Sequence, residues 1–312
     1  MFHTSIVKRG IELVSRFPYK IGIVVFMAFP ELIKSDEGAA ERIKTLAEDP
    51  FFDLLEISHI SDAEWSRAVD YLKKLERPVD IALGMQPEIL IRGYNPSSPN
   101  EEERKKAEQR LVELTRIACS RKMKAVALCS GPTVPEAERE KAIESTKKTL
   151  RALAEEASKC GIPVYLETFD VVWDRKRLLG NLPLASKVIE DVRATHPNVY
   201  ILWDLSHAPM LGESPEDLRH YADLIGHIHI GCAKKIGDKF YDTHPGFYRP
   251  GAVNDERDVA KLLAVLSDMK YRGAISFEVK PEEGQEPLEV INAAKSVLVR
   301  AYQLYLDSYL GR

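Results

Sequence analysis

Four short segments carry ionisable side chains where an apolar core is otherwise expected. They are Val164-Tyr165-Leu166-Glu167-Thr168-Phe169, Tyr200-Ile201-Leu202-Trp203-Asp204 running on into Leu205-Ser206-His207, Gly226-His227-Ile228-His229-Ile230-Gly231, and Ile275-Ser276-Phe277-Glu278-Val279-Lys280-Pro281. Each reads as a β-strand, in which alternate residues face alternate sides. If Ile228 and Ile230 point outward, His227 and His229 point inward together; if Phe277 and Val279 point outward, Ser276, Glu278 and Lys280 point inward. Glu167, Asp204, His229 and Glu278 then occupy the last or near-last inward position of four consecutive strands. Taken singly, each would be read as a salt-bridged or hydrogen-bonded core group. Taken together, three carboxylates and one imidazole carry a negative excess that calls for a cation. Hard oxygen donors with one nitrogen suit Mn²⁺, Co²⁺ or Mg²⁺, and Zn²⁺ is also compatible. Four protein ligands leave positions open on a six-coordinate ion, where a substrate could chelate through two adjacent oxygens.

Bringing four consecutive strand ends to one point requires a closed parallel sheet. Eight apolar, β-branched runs are candidates for its strands: Ile21–Met27, Phe52–Ile57, Val79–Gly84, Ala125–Ser130, Pro163–Phe169, Asn198–Asp204, Ile225–Gly231 and Ala274–Val279. Charged amphipathic stretches alternate with them, clearest at Glu101–Lys122 and Pro135–Cys160. Gly161 suits a left-handed helix cap, and Ser214-Pro215 reads as an N-cap followed by proline at the first helical position. The pattern predicts an α/β fold, a single (β/α)8 TIM barrel spanning residues 1–312 with a C-terminal closing helix over Glu286–Leu310. A doubly wound sheet is the alternative, but Phe26-Met27-Ala28-Phe29-Pro30 after the first strand is no glycine-rich phosphate loop. In a barrel the reactive groups sit at the C-terminal strand ends, where these charges fall.

Composition bounds the function classes. The 312 residues are 45% hydrophobic and 29% charged with a net charge of −4, which fits a globular chain and not a disordered one. A strongly basic nucleic-acid binder is disfavoured. No apolar run approaches the ~20 residues that span a bilayer, so no membrane association is expected. The segment Met1–Arg16 has no apolar h-region, and a cytoplasmic location is expected. Cys119, Cys129, Cys160 and Cys232 have no CxxC spacing and read as reduced thiols. Ten Asn and Gln against 92 charged residues is a balance common in thermophilic proteins.

With Leu166-Glu167, Trp203-Asp204-Leu205-Ser206-His207, His227-Ile228-His229-Ile230 and Phe277-Glu278-Val279-Lys280-Pro281 in this order, the sequence resembles the xylose isomerase-like barrel superfamily. That group includes sugar epimerases, hydroxypyruvate isomerases, inosose dehydratases and endonuclease IV. The resemblance implies one divalent ion held by Glu167, Asp204, His229 and Glu278, with Glu167 and Glu278 also serving as acid and base. The implied activity is isomerisation or epimerisation of a sugar, sugar phosphate or keto acid, by proton abstraction next to a carbonyl through an enediolate. An inosose-type dehydratase begins with the same proton abstraction and is the alternative. The expected partner is a small carbohydrate; nucleic acid is not expected, and a homo-oligomer is compatible with the sequence.

The resemblance also implies substrate contacts. His207 matches a family histidine beside the substrate's oxygens, and the loop from Lys234 to Gly251 ends in a Pro-Gly turn where basic groups reach substrate. His244 and Arg249 are the candidates there, with Lys280 one inward step above Glu278. Several such groups facing the site would favour an anionic substrate. His227, one step deeper than His229, is expected to support it. Asp242-Thr243-His244 also resembles the Asp-x-His of endonuclease IV, which helps hold a third zinc. Cys129 and His59 stand near positions where that enzyme has further histidines, but the first-metal set looks incomplete, and the endonuclease reading ranks last.

Overall fold

Aliphatic runs buried on both faces form eight parallel strands: β1 Lys20–Val24, β2 Leu54–Ile57, β3 Asp80–Gly84, β4 Val126–Cys129, β5 Val164–Glu167, β6 Val199–Asp204, β7 Ile225–Ile230 and β8 Ala274–Phe277. The computed structural model describes residues 2–8 and 10–310; residues 1, 9, 311 and 312 of the expected 1–312 domain lie outside the described residues. The strands pair in chain order, and β8 closes the barrel on β1, with Ile275 opposite both Ile21 and Ile228. All eight expected strands are present, with ends trimmed. The first stops at Val24 instead of Met27, because Val25–Ala28 turns into a helical coil that carries the chain over the barrel mouth.

Helices cover the barrel: α1 Ala39–Glu48, α2 Asp62–Leu72, α3 Glu101–Ser120, α4 Glu136–Ser158, α5 Leu182–Arg193, α6 Glu256–Asp268 and α7 Pro287–Leu310. Their ends follow local chemistry. Asn100 and Asn181 cap α3 and α5 by accepting backbone N–H groups at 2.9–3.2 Å and 3.0 Å, and Gly161 after α4 has φ +73. Between β6 and β7 the chain forms a 3₁₀ helix, Pro215–Leu224, started by a Ser214–Asp217 capping box. The closing helix α7 is present as expected. No helix among the described residues is long and apolar enough to cross a membrane.

Two features depart from the sequence expectations. An antiparallel hairpin, His3–Lys8 with Ile11–Arg16, precedes the barrel. It is fastened to α7 by Ser15–Tyr302 and Gln303–Thr4 hydrogen bonds of 2.7 and 3.0 Å and by Phe2 and Phe17 packed edge-on against Tyr302. The expectation of four reduced thiols is also overturned: Cys119 at the end of α3 and Cys160 just past α4 form a disulfide. The adjacent packing of these two helices brings together residues 41 positions apart. Cys129 and Cys232 remain free and buried.

Candidate metal centre at the barrel mouth

The C-terminal ends of β5 to β8 bring Glu167, Asp204, His229 and Glu278 together: one ligand atom from each lies within 4.8 Å of the others. All four are buried. Strand register produces this convergence. Between β6 and β7 the pairing shifts, so that Ile201 faces Ile225 but Leu202 faces His227, and Asp204 comes to face His229. Gly226 is the residue stepped over; a Cβ there would lie 2.6 Å from Tyr165 and Tyr200. Past β7, a Cβ on Gly231 would sit 2.2 Å from the Glu278 carbonyl oxygen, so glycine lets the ends of β7 and β8 close in.

The donor set fits a divalent cation. Glu167 Oε1 is buried without a hydrogen-bond partner, although its other oxygen accepts 2.7 Å from Gln86 Nε2. His229 Nδ1 faces Glu278 Oε2 at 2.7 Å and Glu167 Oε1 at 3.8 Å. Burial, then the neighbouring Glu278 charge, pushes the Glu167 carboxyl up to about 8. Burial acts the same way on Glu278, but the imidazoles of His244 and His229 outweigh it and hold that carboxyl below its usual range. Burial lowers His229, yet Glu56 and Glu278 overcome it and raise the imidazole well above its ordinary value. Carboxylates forced together and kept apart in proton affinity by imidazoles are what a site for a dication shows before the ion's charge is added.

Glu56, on β2, was missed in the sequence. Its Oε2 meets His229 Nε2 at 3.1 Å and its Oε1 meets His227 Nε2 at 2.8 Å. His227 is stacked on Tyr165 at 5.4 Å, and its Nε2 lies 3.3 Å from Ser276 Oγ, which places it one step deeper than His229. With its Nε2–H held by Glu56, His229 turns Nδ1 toward the cluster. Leu54-Leu55-Glu56-Ile57 carried the same signal as the other strands, a charge in a run buried on both faces.

A second set lies alongside. Asp242 Oδ1 takes His207 Nε2 at 3.1 Å and His244 Nε2 at 2.7 Å. Asp204, His207 and His244 also present atoms within 4.8 Å of one another, and His244 Nδ1 is buried without a partner. Burial lowers both imidazoles, but Glu278 and Asp242 raise His244 to about 9, and Asp204 and Asp242 raise His207 well above its ordinary value. Arg175, also missed, clamps Asp242 through Nε to Oδ2 at 2.9 Å and Nη2 to the backbone carbonyl at 3.2 Å. The turn that delivers Arg175 is built by Asp170, whose buried carboxylate accepts the backbone N–H groups of Val172, Trp173, Asp174 and Arg175 at 2.5–3.1 Å.

Not every candidate reaches this place. Arg249 pairs with Glu282 at 2.9 Å on the surface, and neither it nor Lys280 lines the mouth cleft. Cys129 is a buried thiol pushed up in pKa by burial, and it belongs to none of the clusters of potential ligands; nor does His59. The cleft holds about 590 Å³, open solvent included, and His229, Glu278, Asp242, His244 and Arg175 are on its wall.

Residues 40–298 match the family model described as the xylose isomerase-like TIM barrel. The chain belongs to that family. No curated protein is detectably similar in sequence. Among solved structures, a D-tagatose 3-epimerase-like protein is 20% identical with a TM-score of 0.69, over 93% of this chain and 99% of that one. A 3-keto-D-glucoside 4-epimerase from E. coli is 20% identical with a TM-score of 0.67, over 89% and 98%. An AP endonuclease, family 2, from Brucella melitensis is 19% identical with a TM-score of 0.66, over 89% and 98%. At these identities the family barrel is shared.

Proposed function

We propose that this xylose isomerase-like barrel is a divalent-metal-dependent sugar isomerase or epimerase that moves a proton at the carbon beside a carbonyl. The observation that carries the reading is the converging Glu167–Asp204–His229–Glu278 set with its orphaned Glu167 oxygen. Those four residues would hold Mn²⁺, Co²⁺, Mg²⁺ or Zn²⁺. When bound, the ion supplies Lewis-acid polarisation of a substrate carbonyl. Glu167 ends β5 and Glu278 follows β8, and their proton affinities are driven apart. One carboxyl of such a pair takes a proton while the other holds one to return. His244, fixed by Asp242 through Nε2, keeps Nδ1 for a substrate oxygen, whereas His207, expected to touch substrate, spends both nitrogens on Asp242 and the Thr168 carbonyl and lies off the cleft wall.

The test is elemental analysis of the purified protein, followed by deuterium wash-in from D₂O into a panel of ketoses with the metal-loaded enzyme. About one ion per chain, lost in Glu278→Ala, and metal-dependent exchange beside the carbonyl are expected. No bound metal after reloading would return the cluster to an ion-pair network and end the proposal. A β-hydroxyl lost after exchange would identify a dehydratase. The second cluster around Asp204, His207 and His244 favours a phosphodiesterase as the remaining reading; about three zinc ions per chain and cleavage of abasic duplex DNA would put it first.

A further inference from the structure

The other end of the barrel, where the strands begin, is hollow. A barrel of this kind is ordinarily filled by layers of Val, Ile and Leu. Here Ala82, Ala125, Ala127 and Ala274 line a chamber of about 880 Å³, open solvent included. Leu54, Ala82 and Ala125 form a small apolar cluster with Tyr165 and Ala274, apart from the main core. Glu56 and His227 stand at the inner end, and Glu56 is the one described residue that lines both this chamber and the mouth cleft. His227 is 4% exposed. Glu56 Oε1 holds its Nε2 at 2.8 Å and Ser276 Oγ lies 3.3 Å from the same nitrogen, while Nδ1 has no hydrogen-bond partner among the described residues. Tyr165 covers the face of the ring and leaves that edge open. Lys20, Asp80, Lys124 and Arg272 ring the outer end. Asp80 lies 2.5 Å from Lys20 and 3.9 Å from Lys124, and the two lysines are 60% and 61% exposed, so this end opens to solvent. Arg272 is exposed and forms no ion pair among the described residues. Three cations therefore share one carboxylate at the rim.

We propose that this chamber is a second binding site, for a small hydroxylated carboxylate with a flat apolar body, such as a hydroxybenzoate. The charges set its orientation. The carboxylate stays at the rim with Arg272 and the two lysines, because the Glu56 carboxylate repels it from the inner end. The apolar body lies along Leu54, Ala82 and Ala127 beside the Tyr165 ring. The hydroxyl meets His227 Nδ1, which it suits because a hydroxyl can donate or accept. Asp80 at the rim pairs with Leu54, and Ala82 pairs with Glu56, so rim and inner end are two residues or about 7 Å of strand apart, a distance one aromatic ring spans. The site uses none of the four converging residues at the mouth, so it stands or falls apart from the proposed function.

Calorimetric titration of the Mn²⁺-loaded protein with 4-hydroxybenzoate, benzoate and 4-methylphenol tests this. One 4-hydroxybenzoate per chain is expected, with a Kd of about 1 mM or tighter. Benzoate lacks the hydroxyl and 4-methylphenol the carboxylate, and each is expected to bind at least about tenfold more weakly. Arg272→Ala, at an exposed position, is expected to weaken 4-hydroxybenzoate at least about fivefold. No saturable binding, benzoate or 4-methylphenol as tight as 4-hydroxybenzoate, or an affinity unchanged in Arg272→Ala overturns the assignment. Binding that vanishes when the ion is chelated places the carboxylate on the metal at the other end of the barrel and overturns it as well.

Discussion

Replacing Glu56 by glutamine should loosen the metal centre without touching a ligand. The carboxylate, buried at the cleft wall, accepts from His227 at 2.8 Å and His229 at 3.1 Å. Burial opposes its charge, but the two imidazoles hold it well below the usual carboxylate range, so it is an anion that anchors both rings. Glutamine keeps the shape but offers one acceptor where two donors need one each. If its amide nitrogen faces His229, the ring must move its proton from Nε2 to Nδ1, the nitrogen aimed at Glu278 and Glu167. Loss of such a partner to a metal-binding histidine lowers metal affinity about 10- to 100-fold, or about 1.4–2.7 kcal/mol. Competition for Mn²⁺ against a fluorescent chelator measures it directly. Glu56→Ala goes further and strands two buried imidazoles, costing about 3–5 kcal/mol of folding stability in denaturant unfolding. A glutamine variant that binds Mn²⁺ as tightly as wild type would refute the role of Glu56 in orienting His229.

Glu167→Gln and Glu278→Gln should each cut proton exchange by about 10²–10⁴-fold, the worth of a positioned acid or base; NMR wash-in within threefold of wild type would remove either residue from the chemistry. Metal affinity should climb from pH 6 to pH 8, because ligation displaces protons that the fold holds on Glu167, pushed up to about 8, and on His229, raised well above its ordinary value; a flat profile in the chelator assay contradicts this. Stability of the metal-free protein should fall across pH 6.5–9. His244 keeps its proton to about 9 and Glu167 to about 8 in the folded state, so the native form binds more protons than the unfolded chain in that window and loses stability as they leave; urea midpoints at pH 6.5 and 9 decide it. Reducing Cys119–Cys160 should lower unfolding free energy by up to about 4 kcal/mol, the chain entropy of a loop of this length; an unchanged midpoint under reductant would show that the adjacent helices already fix this geometry.

The barrel was legible because parallel strands buried on both faces read as aliphatic runs, and the four convergent residues because a charge in such a run is conspicuous. Glu56 obeys the same rule on β2, but it stands alone in the first half of the chain, apart from the four segments whose charges converge. Arg175 was hidden for a different reason. It lies in a loop, and only the Asp170-built turn aims it at Asp242, a relationship set by backbone N–H directions that sequence spacing does not show. Arg249 looked equivalent in sequence but found Glu282 first. The Cys119–Cys160 pair depends on which helices lie side by side, and the N-terminal hairpin on contacts with α7 nearly the whole chain away.

The two sides of the mouth cleft divide the polypeptide by labour. The four converging residues come from 167 to 278, whereas the apolar side of the cleft comes from 26 to 91, where only Glu56 and Gln86 reach across to His229 and Glu167. Ile91 is exposed and Met27, Ile33 and Leu90 are only partly buried against the core, and none of the four touches a ligand residue of the cluster. Variation concentrated there would let a lineage, or a directed-evolution library, explore new substrates while inheriting its chemistry unchanged.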